Sequence, residues 1–184
     1  MASIEIGQPL TARGKATRAR IVEAATELVR AHGVANTSLD AVLAASDTSK
    51  SQLYHYFADK DDLVLAVIQR QTECVLATHE SHLRKLHSLS GLRRWRDAVV
   101  ELSRQTDCAG GCPLGSLVSE LAESPRPREL LAESFARWEA LLVAGFRAIQ
   151  ARSGTRRDCD LTELATVVLA AAFSLYLAAA MALF

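Results

Sequence analysis

The chain has 184 residues, 49% of them hydrophobic and 23% charged, a balance that allows one domain or two small ones sharing a sizeable core. Lys plus Arg and Asp plus Glu are both 21, so the net charge is zero. That excludes a polycation that coats nucleic acid by bulk charge, and it excludes an acidic solvating tail. Glycine and proline are few, 9 and 4, and no alternating β-branched runs stand out, so an all-α fold is expected. Four cysteines do not make a secreted disulfide framework at this length, and Met1 to Leu10 does not read as a secretory signal. Reduced thiols in the cytoplasm are expected.

Residues 11–20 carry Arg13, Lys15, Arg18 and Arg20 without an acid, a short basic arm leading into a helix. From there Ile21, Ala24, Ala25, Leu28 and Val29 keep helical spacing on one face, and Gly33 is placed to stop the helix. Thr37-Ser38-Leu39-Asp40 reads as a capping box with Thr37 as cap and Asp40 reaching back. A short helix follows, with Leu39, Val42 and Leu43 inward. Ser46-Asp47-Thr48 breaks it, and Asp47 tolerates the left-handed backbone of a tight turn. Ser49 and Gln52 form a second capping box and open another short helix through Phe57. Asp59 caps a fourth helix, with Asp61 and Asp62 at the positive end of its dipole and Leu63, Val64, Val67 and Ile68 inward.

A fifth helix is expected after Gly91, with Leu92, Trp95, Val99 and Leu102 on one face. Cys108 to Cys112 reads as a loop, and Pro113 suits the first turn of a sixth helix with the stripe Leu114, Leu117, Val118 and Leu121. Pro125 and Pro127 punctuate. Phe135, Trp138, Leu142, Phe146 and Ile149 give the seventh helix its apolar face, and Gly154 ends it. Between Leu164 and Phe184 only Thr166 and Ser174 fall outside the hydrophobic class. The run is long enough for a bilayer, but eight of its 21 residues are alanine, and its upstream flank mixes Arg156 and Arg157 with Asp158, Asp160 and Glu163. A helix packed in a core or an oligomer interface is the expectation, with a membrane anchor as the alternative. The chain therefore divides into a small three-helix head and a larger helical body.

Two short helices joined by a three-residue turn, behind a basic arm, make a helix-turn-helix candidate whose second helix would lie in the major groove. Its polar residues are Ser49, Lys50, Ser51, Gln52, His55 and Tyr56. Lysine reaches the acceptors of guanine and glutamine pairs with adenine through two bonds. Serine and tyrosine hydroxyls and the helix N-termini suit phosphate. Leu53 and Phe57 point back into the head. The competing reading is a solvated polar face.

The stretch from Thr37 to Leu63, with its core Leu53, Tyr54, Phe57 and Lys60, resembles the DNA-binding signature of the TetR family of bacterial repressors. The resemblance covers about residues 13–70 and includes the Ala-His-Gly that ends at Gly33. It implies phosphate contacts from Thr37 and Ser38, groove contacts from Ser49, Lys50, Ser51 and Gln52, backbone contacts from Tyr54, His55 and Tyr56, and a phosphate contact from Lys60. Asp47 and Ser51 stand where the family commonly has Gly, and Tyr56 where His is commonest. These three departures bear on the operator sequence.

The resemblance also implies the layout: an arm at 1–12, a helix-turn-helix domain at 13–62 and an effector-binding and dimerisation domain at 63–184. The expected partners are a double-stranded DNA operator, a second copy of the chain and a small-molecule effector, with no membrane. In the family two late helices from each subunit form a four-helix bundle. The run at 161–184 resembles the first of these and no second follows it, so either the sequence is a piece of a longer chain or its dimer differs. The segment Gly111 to Leu121 is similar to an LmrA-type branch of regulators.

Trp95, Phe135, Trp138, Phe146, Phe173 and Tyr176 fall on predicted inward faces of the body. Trp95, Cys112, Leu117, Phe135, Trp138, Phe146 and Phe173 are the candidates for an apolar pocket taking an aromatic or lipophilic effector, with ordinary core as the plainer reading. Cys108 and Cys112, three residues apart and without a second pair, make a zinc site improbable; a redox-sensing regulator that uses the two thiols is an alternative. His79 and His82, with Glu80 between them and His87 beyond, fit a solvated helix face better than a weak metal site. No nucleophile–base motif and no phosphate-cradling glycine loop is present, so no enzyme, cofactor or metal is expected.

Overall fold

The computed structural model describes residues 10–105, 111–153 and 159–181. Eight helices occupy them: α1 (Ala12–Asn36), α2 (Leu39–Ser46), α3 (Lys50–Tyr56), α4 (Lys60–Leu83), α5 (Leu89–Gln105), α6 (Pro113–Glu120), α7 (Pro125–Ser153) and α8 (Leu161–Met181). No strand occurs among the described residues. The chain forms two compact units, Met1–Val67 and Ile68–Phe184, and α4 has residues in both. Gly154, Cys108 and the side chain of Tyr176 lie outside the described part.

In the first unit α1 packs on α2 and α3. Ile21, Ala25, Val29, Val42, Leu53, Phe57, Leu63 and Val67 fill its core. A fully buried side chain of this size stabilises by about 1.5–3 kcal/mol. Three details differ from expectation. The basic segment is already helical from Ala12, because Thr11 caps α1 by accepting the Gly14 N–H at 3.1 Å. Ser38, not Thr37, caps α2 and accepts from the Ala41 N–H at 3.1 Å. Thr37 is 5% exposed, and its hydroxyl donates instead to the Gly33 carbonyl at 2.7 Å. Gly33 itself has φ 79°, so the helical backbone breaks there as its residue type suggests.

In the second unit α8 lies against α7 and α5, and α6 against α7. Its core includes Ile68, Leu86, Val99, Leu114, Leu117, Trp138 and Leu142. Thr72 Oγ1 lies 2.7 Å from the Ile68 carbonyl and 2.8 Å from Ser134 Oγ, whose own proton goes to the Leu130 carbonyl, so α4 and α7 share one buried hydroxyl relay. Helix α5 starts at Leu89 rather than after Gly91, because Ser88 accepts the Gly91 N–H at 3.1 Å and pulls glycine into the first turn. Pro125 and Pro127 do not break a helix. They sit in the first turn of α7, where a missing N–H loses no bond. Val118, expected inward, is 45% exposed.

Among its described side chains helix α8 buries one stripe, Ala165, Leu169 and Ala172. Val167 on another side is 60% exposed. Among the described residues no helix is long and apolar enough to cross a membrane.

Candidate nucleic-acid interface

The turn between α2 and α3 is built from local chemistry. Asp47 adopts φ 49°, ψ 51°, the left-handed shape that ends α2. Asparagine and aspartate reach this region more readily than other non-glycine residues. Ser46 is buried; its hydroxyl pairs with that of Thr48 at 2.7 Å and its carbonyl accepts the Arg20 Nε–H at 2.9 Å. Arg20, read from the sequence as part of a basic arm, thus ties α1 to the turn. No local pattern signals a bond across 26 residues.

Helix α3 opens with the full capping box. Ser49 Oγ accepts the Gln52 N–H at 3.3 Å and Gln52 Oε1 accepts the Ser49 N–H at 2.9 Å. Leu53 is fully buried, which fixes the rotation of α3 and leaves Ser49, Lys50, Ser51, Gln52, Tyr54 and His55 outward. The Lys50 ammonium hovers 6.0 Å from the Tyr54 ring centre. The carboxamide oxygen of Gln52 already serves the cap, so pairing both edges of adenine would make that one oxygen accept twice. Lys50 and Ser51 carry no such commitment to the backbone of the cap.

The other expected contact residues are less free. Tyr56 is half-buried, with its ring edge-on to His55 at 4.8 Å. The Lys60 ammonium donates to the Val34 carbonyl at 2.8 Å, which joins the start of α4 to the end of α1. Asp59 caps α4 by accepting the Asp62 N–H at 2.8 Å. Arg18 lies over the Phe57 ring at 5.2 Å. Ser38 is exposed at the start of α2, whereas Thr37 is buried.

In the second unit the aromatic residues gather. His79 stacks on Trp138 at 4.8 Å and 15° and meets Trp95 edge-on at 6.1 Å. Phe173 packs edge-on against Trp138 at 5.8 Å and Phe135 at 5.4 Å. His79 is 3% exposed, which corrects the expectation of a solvated helix face. It continues the inward stripe Ile68, Thr72, Val75 and Leu83, and that spacing was the signal available in the sequence. Burial pushes its imidazole down to about 4, with His82 adding a smaller repulsion, so the ring is neutral at pH 7. The Nε1 atoms of Trp95 and Trp138 are buried and have no hydrogen-bond partner. Burial also raises the Cys112 thiol above its ordinary value, against smaller opposing contributions from the Gly115 and Leu114 backbone. A raised thiol is a poor nucleophile.

A separate cavity of about 740 Å³ opens among Leu92, Phe146, Ile149, Leu161, Leu164 and Val168. Of the seven expected effector residues only Phe146 lines it. Trp95, Cys112, Leu117, Phe135, Trp138 and Phe173 lie in or beside the aromatic core instead.

Comparison with known proteins agrees with this geometry. Residues 21–67 match the model described as bacterial regulatory proteins, tetR family, and residues 88–182 match the tetracyclin repressor-like C-terminal domain. The chain belongs to the TetR family. Its members are HTH-type transcriptional regulators, not enzymes, and this chain carries their helix-turn-helix head. A helix-turn-helix regulator of Lactococcus lactis, from the lacX 3' region, is 30% identical over 114 residues, 58% of this chain and 55% of that protein. The chain thus matches about half the length of that curated relative. Salmonella enterica GusR is 27% identical with a TM-score of 0.68, covering 94% of this chain and 85% of that one. A TetR regulatory protein from Rhodobacter sphaeroides is 24% identical with a TM-score of 0.77, covering 91% and 90%, and shows the shared fold.

Proposed function

We propose that the chain acts in the cytoplasm as a homodimeric repressor that binds a palindromic operator and is released from it by a small lipophilic or aromatic effector. The observation that carries this reading is the outward row Ser49, Lys50, Ser51 on a helix whose rotation is fixed by buried Leu53 and whose start is held by the Ser49–Gln52 box. A rigid, capped helix end that presents short hydroxyls and one ammonium suits base edges and phosphates in a major groove. Lys50 is the proposed base reader. Ser38, Tyr54, His55 and Lys60 are the proposed phosphate contacts, with Tyr56 at the rim. Thr37 contributes through the shape that its buried hydroxyl and its N–H, bonded to the Gly33 and Val34 carbonyls, impose.

The uncovered side of α8 supports a homodimer, since an alanine-rich helix with Val167 exposed offers close approach to a second copy of itself. Two heads would then read successive grooves about 34–36 Å apart. Release is linkage: an effector that prefers a body conformation unfit for DNA must lose affinity by the factor that it takes from DNA. Helix α4 carries Lys60 near its start and His79 near its end, and is the proposed lever.

Selection of bound duplexes from a randomised library at about 150 mM salt tests the reading, because non-specific binding is weak there. An enriched inverted repeat is expected. Enrichment of nothing by the folded chain would sink it. Lys50→Ala should then weaken binding to the enriched site by about 1–3 kcal/mol and relax one base position.

A further inference from the structure

Two indole N–H groups are buried without an acceptor, at Trp95 and Trp138, and the same imidazole touches both rings. Leaving a buried donor unpaired forfeits its bond to water without replacement, and native cores seldom do it. Both tryptophans are at most 2% exposed, so neither donor reaches bulk water. The unpaired donors therefore ask for an acceptor brought from outside.

The neighbourhood specifies what that acceptor is attached to. Phe173 stands edge-on to Trp138, and Phe135 edge-on to Phe173. Gly115 leaves room for the Phe173 ring: a Cβ there would come within 3.2 Å of it. Flat aromatic faces favour a planar guest. The charge of the guest follows from what is buried. Among the described residues the buried polar side chains of this unit are Gln71, Thr72, His79, Ser103 and Ser134, and none is Lys or Arg. Burial keeps His79 neutral at pH 7. A carboxylate would enter as an unpaired charge, at a cost that two neutral donors do not offset.

We propose that the His79–Trp95–Trp138 cluster is the polar anchor of the effector site and selects a planar aromatic molecule bearing a neutral carbonyl oxygen. This rests on the effector-responsive reading above and adds the chemistry of the ligand. The carbonyl accepts from one or both indole N–H groups. The aromatic body displaces or slides along Phe173. The 740 Å³ cavity, which carries Arg152 and Gln150 but neither tryptophan, is not this site.

The chain has two tryptophans, and both are in the cluster, so intrinsic tryptophan emission reports on this site alone. The full chain is titrated by calorimetry and emission with 2-acetonaphthone, with 2-ethylnaphthalene, which lacks the acceptor, and with 2-naphthoate, which carries it as an anion. The ketone should saturate, change the emission and bind about tenfold tighter than either of the others, the worth of one satisfied buried donor. Trp95→Phe or Trp138→Phe should weaken the ketone about fivefold and leave the hydrocarbon unchanged, with helicity intact. Equal binding of ketone and hydrocarbon, preference for the carboxylate, or no saturation by the ketone overturns the proposal, as do folded Phe variants that keep ketone affinity. If the variants do not fold, the three-ligand comparison on the parent decides alone. Duplex enrichment is read separately: intact DNA binding without ketone selectivity removes this inference and leaves the regulator, whereas no enrichment removes the regulator.

Discussion

The two units solve the same packing problem with different materials. In the first, polar side chains close the ends of helices: Ser38, Ser49 with Gln52, and Asp59 cap, while Arg20, Thr37 and Lys60 each donate to a carbonyl at a helix end. These bonds fix the backbone at the helix ends of the head. In the second unit the Thr72–Ser134 relay is set among aromatic and aliphatic contacts, buried polar atoms of Gln71, Trp95 and Trp138 stay unpaired, and a cavity of about 740 Å³ opens elsewhere. A surface that reads DNA gains from rigidity, because each base contact needs its atoms in place before binding. A region that answers a ligand gains from unsatisfied groups and space, because a ligand shifts a conformational equilibrium only through contacts it alone supplies.

The largest expected effect tests the body. His79 is held near 4 when folded against 6.5 when free, so the unfolded chain binds the extra proton between those values. Above pH 6.5 both states are neutral and the stability is full. As pH falls toward 4 the stability drops, by up to about 3 kcal/mol. Urea unfolding of the parent and of His79→Phe across pH 4–7 should show the slope in the parent and its reduction in the variant. Parallel curves would mean that His79 is hydrated, and the contrast between the two units would weaken.

Next is Gly145 in α7. A Cβ there would meet Leu86 Cγ at 2.6 Å and Cβ at 2.8 Å, so rotating the leucine cannot clear it. Gly145→Ala gains helix propensity yet should cost about 1–3 kcal/mol by overpacking. In a Leu86→Ala background the same change should cost less but not nothing, because the Cβ of position 86 stays at 2.8 Å. An unchanged melting temperature for the single variant would show that this part of the body already yields.

For the head, Ser49→Ala removes the capping box and should cost about 1 kcal/mol. Operator affinity should fall along with stability, since the Gln52 backbone N–H loses its acceptor and the first turn of α3 is held from one side only. If stability falls and affinity does not, the cap is structural only and the outward row does not depend on it.

Much of this was legible in the sequence because it is local. The Ser49–Gln52 box, the left-handed Asp47, the Asp59 cap and Pro113 at the head of α6 all follow from residue type within four positions. The cap before α2 was misassigned by one residue, since Thr37 and Ser38 are both good caps and only burial under α1 decides between them. The Arg20–Ser46 and Lys60–Val34 bonds each join residues 26 apart, and nothing local marks them. His79 was visible as a stripe position but reads as surface by residue type. The cavity is the least legible feature: its walls come from three separate stretches of chain, and an apolar residue facing space has the same spacing as one facing another side chain.

The smallest expected effect separates backbone from charge at the turn of the head. Asp47 is at φ 49°, where glycine costs nothing and asparagine costs little. Asp47→Gly relieves the left-handed residue but adds freedom to the unfolded chain, so stability should change by only about 0.5 kcal/mol in either direction. Asp47→Asn keeps the backbone preference and removes the negative charge. If the turn faces DNA as proposed, both variants should bind the operator about two- to fivefold more tightly at low salt, and the gain should shrink as salt rises. A gain in Asp47→Gly alone would assign the effect to backbone shape rather than charge. No gain in either would turn the α2–α3 corner away from the phosphates, and the docking of α3 would then have to be rotated about its buried Leu53.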